Sequence, residues 1–267
     1  GDGAFDGCNS LGPIIELPIR LTSIGYSAFK GCSSLANIKL PTSPSLTSIG
    51  SSAFQNCSSL AIIGLPAGLA SIGHRAFYGC SSLVTIEFEF AAILTRLGDS
   101  TFQGCSSLAT IALPTSLTSI GNSAFQGCSS LATIKLPTGF TSIGYSAFQN
   151  CSSLVTIELP TSLTFIGDWA FRGCSSLDEI KLPTSLTSIG ARAFQNCSLL
   201  AIIGFPAGLT SIDISTFQGC SSLATIKLPT GLTSVDDCAF YGCSSLATIE
   251  LPAGLTSIGH RAFYGCS

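Results

Sequence analysis

Apolar and polar residues alternate along the chain in short runs that recur about every 23 residues. In one such run, Ile134 and Leu136 alternate with Thr133 and Lys135, which is the two-residue period of a β-strand. Pro137 follows, and because proline has no backbone N–H, it marks the end of strand pairing. The pattern therefore predicts one short strand in each repeat.

The second half of the repeat predicts two further local structures. Phe140 and Ile143 form a second apolar pair in a short extended piece, and Gly144 after them predicts a tight bend with positive φ. We expect residues 146–149 to form a single helical or 3₁₀ turn. Asn150 then occupies a column that contains only Gly or Asn, the residues that tolerate a left-handed cap.

Cysteines mark the period of the repeat. From Cys105 onward the spacing is 23 residues, and a phenylalanine lies three positions before each cysteine. The twelve are Cys8, Cys32, Cys57, Cys80, Cys105, Cys128, Cys151, Cys174, Cys197, Cys220, Cys243 and Cys266. A unit this short buries its apolar stripe only against its neighbours, so the period predicts a solenoid with aligned parallel strands.

The array extends over residues 1–267 as a single domain of about eleven repeats. The unit at 80–104 is irregular, because it is two residues longer than the standard unit and has Glu89 in place of the proline. Neither end carries a recognisable capping sequence, so we expect open, adhesive ends.

The low charge and the even spread of apolar residues disfavour nucleic-acid binding and a transmembrane segment. Charged residues make up 9% of the chain, the net charge is −3 and the mean hydropathy is +0.54. No basic face indicates nucleic-acid binding, and no apolar stretch of about 18 residues predicts a transmembrane segment. The chain contains no methionine and no signal-peptide pattern, so its start carries no information on its location.

The repeat resembles a known family. Residues 154–174 and 223–243 carry the pattern L-x-x-I-x-L-P-x-x-L-x-x-I-G-x-x-A-F-x-x-C almost whole. This pattern resembles the BspA-like, or treponemal-type, leucine-rich repeats. The resemblance implies a leucine-rich-repeat solenoid with a parallel β-sheet on the concave face, and short extended pieces and helical or 3₁₀ turns on the convex side. It also implies an extracellular or cell-surface protein that acts in adhesion.

The cysteine column has two interpretations. The first is an inward ladder of small apolar thiols, since each cysteine occupies a core position beside Leu and Phe. The second is disulfide bonding between neighbouring units, which lie within bridging range. Cys238 stands outside the column and is the candidate free thiol.

We expect neither an enzyme nor a cofactor or metal site. A nucleophile needs a positioned base, and no unit combines a unique Ser or Cys with His and a carboxylate. No CxxC pair or Cys/His cluster indicates zinc. His74 and His260 share one repeat position but lie eight units apart, which favours surface decoration over a shared site.

The outward side of the predicted sheet is the candidate binding strip. A threonine column runs beside a column in which Lys135, Glu158 and Lys181 alternate in sign. One interpretation is charge relief across the sheet. The other is a docking strip for a periodic or extended ligand; ice binding by the threonines is a further alternative, disfavoured by curvature and by the charges. The candidate residues are Thr110, Thr133, Lys135, Thr156, Glu158, Lys181, Lys227 and Glu250.

Two local features add candidate contacts. Asn56, Asn150 and Asn196 begin Asn-Cys-Ser sequons that fit N-glycans in a eukaryotic secreted protein, although asparagine also fits the cap position for backbone reasons. In the irregular unit, Phe88 occupies the leucine column and Phe90 is extra. The unit is either a distinct contact or a tolerated loop insertion.

The sequence leaves two functions open. The first is an extracellular binding or adhesion module with a protein, matrix or glycan ligand. The second is a structural protein whose units stack end to end into a filament, or a segment of a longer repeat fibre.

Overall fold

The computed structural model of the chain is a parallel β-solenoid, and it describes residues 1–41, 45–89 and 92–266. Each coil contains a strand, a two-residue strand and a six-residue turn segment that ends at the Gly/Asn column, such as 145–150. These three parts recur in every unit because the apolar pattern recurs. The solenoid and the period of about 23 residues predicted from the sequence are confirmed.

The longer strands form the surface that we call the main sheet. In chain order they are β1 (Ile14–Glu16), β3 (Asn37–Lys39), β5 (Ile62–Leu65), β7 (Thr85–Phe88), β9 (Thr110–Ile111), β11 (Thr133–Lys135), β13 (Thr156–Glu158), β15 (Glu179–Lys181), β17 (Ile202–Gly204), β19 (Thr225–Lys227) and β21 (Thr248–Glu250). In the three-residue strands, such as β11 and β13, the central residue points inward and the two flanking residues point outward, as strand periodicity requires.

The two-residue strands form a second ladder on the next side of the solenoid, since each follows the main-sheet strand of its own coil. They are β2 (Ser23–Ile24), β4 (Ser48–Ile49), β6 (Ser71–Ile72), β8 (Arg96–Leu97), β10 (Ser119–Ile120), β12 (Ser142–Ile143), β14 (Phe165–Ile166), β16 (Ser188–Ile189), β18 (Ser211–Ile212), β20 (Ser234–Val235) and β22 (Ser257–Ile258). In both ladders the paired strands are parallel and join equivalent residues of successive units, as in Ile134 with Ile157 and Ser142 with Phe165. Strand pairing runs through seven, two and two strands in the main sheet, and through five, three and three strands in the second ladder.

The turn segments form a third inter-coil ladder and differ from the helical or 3₁₀ turn that we predicted. No helix occurs within residues 1–41, 45–89 and 92–266. Instead, the N–H groups of Ser123, Phe125 and Gly127 each donate to a carbonyl of the following coil at 2.8 Å. A helix would use these groups inside its own segment, whereas consecutive turns leave them available to join one coil to the next.

Positive φ occurs at two columns of each turn segment. The Gly/Asn column has it, as predicted, with Asn150 at 60°. The other column is the second position of the segment, where Ser146 has a φ of 53°. The prediction for Gly144 was wrong, because that glycine does not have positive φ.

Close approach of neighbouring coils explains the glycines of the Gly144 column. A Cβ added at Gly50 would lie 2.7 Å from the carbonyl carbon of Gly25, and one at Gly190 would lie 2.6 Å from the amide nitrogen of Asp168. Real Cβ atoms do not come so near to backbone atoms. The column is therefore glycine in most units, Asp213 and Asp236 being the exceptions, because the preceding coil occupies the space of a side chain.

The core is a set of stacked columns. The phenylalanines three positions before each cysteine lie face to face, with ring centroids 5.0–5.5 Å apart from one coil to the next and interplanar angles of at most 23°. From Phe54 to Phe240 these rings are fully buried. Leucine, isoleucine and alanine columns surround them in one continuous cluster.

The cysteine column lies beside the phenylalanine column and consists of free thiols. From Cys32 onward, each Sγ of the column donates to the carbonyl oxygen of the phenylalanine one coil earlier, as Cys151 does to Phe125, at distances of 3.0–3.3 Å. Burial raises the pKa of Cys105 and Cys174 to about 12. The structure therefore has the inward thiol ladder rather than disulfides.

In the irregular unit at 80–104, Glu89 provides contacts with the preceding coil at the position of the missing proline. Glu89 stands where other units have proline, so its N–H donates to the carbonyl of Leu65 at 2.9 Å. Its carboxylate accepts the N–H of Ala67 at 3.0 Å. Phe88 is half-buried and packs against the core, while Phe90 lies outside the described residues. Both ladders continue through this unit, so its two extra residues do not interrupt the strand pairing.

Candidate binding surface

The outward side of the main sheet presents a threonine column in register. Thr110, Thr133 and Thr156 are register partners on adjacent strands, and all three are exposed. Thr225 and Thr248 are partners further along the chain. Because parallel pairing aligns equivalent residues, the sequence column becomes a straight row on the surface.

The neighbouring charged column brings together some of the predicted residues and separates others. Lys135 Nζ lies 2.7 Å from Glu158 Oε2 across adjacent strands. Lys181 lies 3.7 Å from Glu179 on its own strand. The side chains of Lys135 and Glu158 are 76% and 70% exposed, so solvent screens the pair and it contributes little to stability. Lys227 and Glu250 are also exposed and are register partners.

Shallow hollows interrupt the charged column where its residue is small, and sequence reasoning missed them. Gly64, Ala112 and Gly204 stand in this column, and a Cβ added at Gly64 or Gly204 would meet no atom within 4 Å. The signal in the sequence was the loss of charge at three positions of an otherwise charged column. Open space at these positions depends on how the neighbouring strands are spaced, which only the structure gives.

Each hollow has the same construction. A lysine on an adjacent strand and the Leu-Pro end of that strand form its wall, and the small residue forms its floor. The residues are Lys39, Leu40, Pro41 and Gly64 in the first, Ala112, Lys135, Leu136 and Pro137 in the second, and Gly204, Lys227, Leu228 and Pro229 in the third. The linings of the second and third hollows contain no carboxylate, so they suit an apolar group with a negative charge at its end, whereas Glu89 also lines the first hollow.

The remaining predicted residues lie on other sides of the coil. Cys238 is a half-buried free thiol in the second position of its turn segment, with a φ of 58°. Asn56, Asn150 and Asn196 are exposed at the cap column, with φ values of 60–61°. Nothing in their geometry assigns them a ligand, so the thiol and the N-glycan sites stay predictions.

The two histidines also lie in turn segments. The Nδ1 of His74 accepts the N–H of Asp99 at 3.0 Å, and the N–H of His260 donates to Asp237 at 2.6 Å. These contacts tie one coil to the next. In the part of the chain that the structure describes, no group of three or more His, Cys, Asp or Glu side chains could hold a metal ion. No helix in the described ranges is long and apolar enough to cross a membrane.

Comparison with known proteins gives a family match along the whole chain. The family model described as BspA type leucine rich repeat region matches residues 1–106, 95–224 and 200–267, in six copies. The resemblance inferred from the repeat pattern is therefore confirmed. No curated protein is significantly similar to the chain.

Several solved structures share the fold. A leucine-rich repeat protein from Bacteroides ovatus is 27% identical, with a TM-score of 0.64 over 95% of this chain and 84% of that protein. The Treponema pallidum leucine rich repeat protein is 37% identical, with a TM-score of 0.58 over 62% and 78% of the two chains. A leucine rich cell surface protein from Faecalibacterium prausnitzii is 26% identical, with a TM-score of 0.50 over 95% and 85%.

Proposed function

We infer that this chain, which belongs to the BspA-type leucine-rich repeat family, is an extracellular or cell-surface binding module without catalytic activity. Its ligand is an extended segment of a protein or of the matrix, held on the outward side of the main sheet. The similarity to a leucine rich cell surface protein supports the location. Solenoids offer long continuous surfaces of this kind for binding.

The observation that carries the proposal is the shared construction of the three hollows. Each places a lysine beside an apolar wall and a small floor residue, as Lys227 lies beside Leu228 and Gly204. Lysine ammonium groups form charge-assisted hydrogen bonds with carboxylates. At a strand spacing of about 4.8 Å, Gly64 and Ala112 are about 10 Å apart and Gly204 is about 19 Å further along the axis. A ligand that fills them is therefore extended and carries spaced acidic groups.

The test fills two of the hollows without disturbing the fold. Gly64→Lys and Gly204→Lys together place in each hollow a residue that the same column already carries at Lys135, and open space exists for the new side chains. Binding to immobilised collagen, fibronectin and laminin is measured by surface plasmon resonance. We expect at least tenfold weaker binding in the double variant, because the ligand loses both cavities.

Two further variants locate the surface. Lys135, Glu158 and Lys181 changed together to alanine should also weaken binding, whereas Ser119→Ala and Ser188→Ala on the second ladder form the control and should leave it unchanged. Equal binding by the wild type and by the filled variant would show that the hollows do not bind the ligand. No binding by the wild type to any of the three proteins contradicts a matrix ligand.

The alternative is end-to-end stacking into a filament. It predicts particles larger than 27.3 kDa that elongate with concentration in light scattering and negative-stain microscopy. A monomer at all concentrations favours the binding module. Filaments with a rise equal to a whole number of coils of about 4.8 Å favour the structural protein.

A further inference from the structure

The aromatic residues with polar atoms are confined to the turn segments. The chain has five tyrosines and one tryptophan, and all six lie between the Gly144 column and the Gly/Asn column of their units. They are Tyr26, Tyr78, Tyr145, Trp169, Tyr241 and Tyr264. The main sheet carries none of them, so the turn side has a different surface chemistry from the surface proposed above.

Four of the side chains on this side form one cluster. The rings of Tyr145 and Trp169 lie 5.1 Å apart between centroids, at an angle of 44°. The guanidinium carbons of Arg172 and Arg192 lie 5.7 Å and 6.0 Å from the centre of the Trp169 ring. Tyr145 comes from the preceding coil and Arg192 from the following one, so the cluster spans three coils.

The fold does not require these residues. The column of Trp169 and Arg192 is serine in six of twelve positions, and the column of Arg172 is most often glutamine. Elsewhere those glutamines form a chain of amide hydrogen bonds, such as Gln126 to Gln149 at 2.9 Å. Arg172 replaces a member of that chain.

The same two columns hold an aromatic–arginine pair in two other units. Arg261 lies 5.6 Å from the ring centre of Tyr264, which in turn stacks on Tyr241 at 5.3 Å. Arg75 and Tyr78 occupy the same pair of positions. The combination is thus repeated along one side of the solenoid, and the Trp169 cluster is its fullest form.

The cluster itself contains two guanidinium groups and no carboxylate. Asp168 lies next to Trp169 in the chain, its Oδ1 accepts the N–H of Ala191 at 3.0 Å, and it interacts electrostatically with Asp213. Cation–π contact leaves the guanidinium N–H groups available for other acceptors. Tyr145 is 42% exposed, and both arginines are partly exposed.

We propose that Tyr145, Trp169, Arg172 and Arg192 form a binding site for an acidic polysaccharide, that is, for a sugar polymer bearing carboxylate or sulfate groups. The arginines bind the anionic group through paired N–H donors, which match the geometry of these acceptors. The exposed parts of the aromatic side chains pack against the apolar face of a sugar ring, and the Tyr145 hydroxyl bonds its hydroxyl groups. A polymer fits because further aromatic–arginine pairs follow along the same side.

An acidic peptide would satisfy the arginines but not the aromatic rings. Six aromatic side chains spaced along one side match a ligand made of rings with hydroxyl groups. The peptide is therefore the competing ligand in the test.

Trp169 is the single tryptophan of the chain, so its fluorescence reports on this site alone. The purified chain is titrated with heparin, with polygalacturonate, with neutral dextran and with polyglutamate. We expect a saturable change in emission with heparin and polygalacturonate, and none with dextran. A response to heparin alone assigns a sulfate ligand, and a response to polygalacturonate assigns a carboxylate ligand. An equal response to polyglutamate overturns the sugar assignment, and no response to either polysaccharide overturns the proposal.

The variants restore residues that other units carry in these columns, so the fold is maintained. Arg172→Gln and Arg192→Ser together keep the fluorescent reporter and should weaken binding by on the order of 100-fold, about tenfold for each charge-assisted contact. The control, Lys30→Gln with Arg96→Ser, removes the same charge elsewhere and should leave the affinity within about twofold, since distant charges are screened. Equal losses in both variants would reduce the site to non-specific charge attraction.

The measurement is independent of the function proposed for the main sheet. Gly64→Lys with Gly204→Lys should leave the tryptophan titration unchanged. Failure of the polysaccharide proposal can therefore be distinguished from failure of the proposal that the main sheet binds a matrix protein.

Discussion

The main sheet and the turn segments join the same coils by different physical means. In the main sheet, backbone pairing such as Thr133 with Thr156 holds neighbouring coils together, and the outward side chains are exposed. In the turn segments, buried side chains add to the backbone ladder, because Phe148 and Cys151 are fully enclosed. The outward residues of the sheet are therefore free to vary for binding, whereas the inward residues of the turn side are fixed by packing.

The largest expected effect comes from the thiol column, which has no counterpart in the main sheet. Burial holds the pKa of the enclosed cysteines above the usual thiol value of about 9, and at about 12 for Cys105 and Cys174. Unfolded thiols lose their protons first as the pH rises, so the stability is complete below about pH 9 and falls as the pH rises towards 12. Each buried thiol costs on the order of 1.4 kcal/mol per pH unit in that window.

Circular dichroism against pH tests this expectation. Because the buried cysteines act together, we expect cooperative unfolding between about pH 10 and pH 11, in reducing buffer. An intact spectrum at pH 12 would contradict the thiol account. Replacing several cysteines by alanine should move the transition to higher pH, even though each replacement lowers stability at pH 7.

The second prediction compares one residue from each region. Phe148→Ala removes a fully buried ring from a continuous stack and should lower the free energy of unfolding by about 3–5 kcal/mol. Thr133→Ala, on the exposed side of the main sheet, should change it by no more than about 0.5 kcal/mol. Urea denaturation measures both, and equal effects would erase the distinction between the two regions.

The third prediction concerns the close approach of coils at the glycine column. Gly190→Ala adds a Cβ that would lie 2.6 Å from the amide nitrogen of Asp168. We expect a loss of about 1–3 kcal/mol, since the backbone must shift. Gly204→Ala is the matched control on the main sheet, where the added atom meets nothing within 4 Å. Its thermal unfolding should stay close to that of the wild type.

The smallest expected effect is a gain in stability. Ser146 has a φ of 53°, is 1% exposed, and its hydroxyl has no hydrogen-bond partner among the described residues. Ser146→Gly removes both the left-handed strain and the unpaired hydroxyl and should stabilise the chain by about 1 kcal/mol. Ser142→Gly, in strand β12, should destabilise it, because glycine weakens a strand. Calorimetry measures the unfolding temperature of both variants, which should rise for Ser146→Gly and fall for Ser142→Gly.

Much of the fold was readable because each column of the repeat has one physical role. Alternation of Ile134 and Leu136 with polar residues placed a strand correctly, and Asn150 marked a left-handed position. The prediction of positive φ at Gly144 was wrong, because glycine occurs both where φ is positive and where two backbones come close together. The sequence does not distinguish these two reasons. Ser146 gave no signal of its positive φ, since serine is not a residue that this conformation favours.

The candidate surfaces were only partly readable. The threonine row and the pairing of Lys135 with Glu158 follow from the period, because parallel strands align equivalent residues. The hollow at Gly204 did not follow, since a missing side chain becomes a cavity only where neighbouring strands leave the space open. The meeting of Trp169 with Arg192 also needed the structure, because it depends on the direction of side chains from adjacent coils.

By itself, the sequence determined that this chain is a stack of equal coils, because a 23-residue period of apolar positions can be buried only by neighbours of the same kind. It also determined which columns face inward. Only the tertiary structure decided how the coils are joined on the turn side, where hydrogen bonds run between coils rather than within a helix. The reason is physical: a repeat pattern specifies which residues recur, whereas the distance between coils specifies which groups can reach one another.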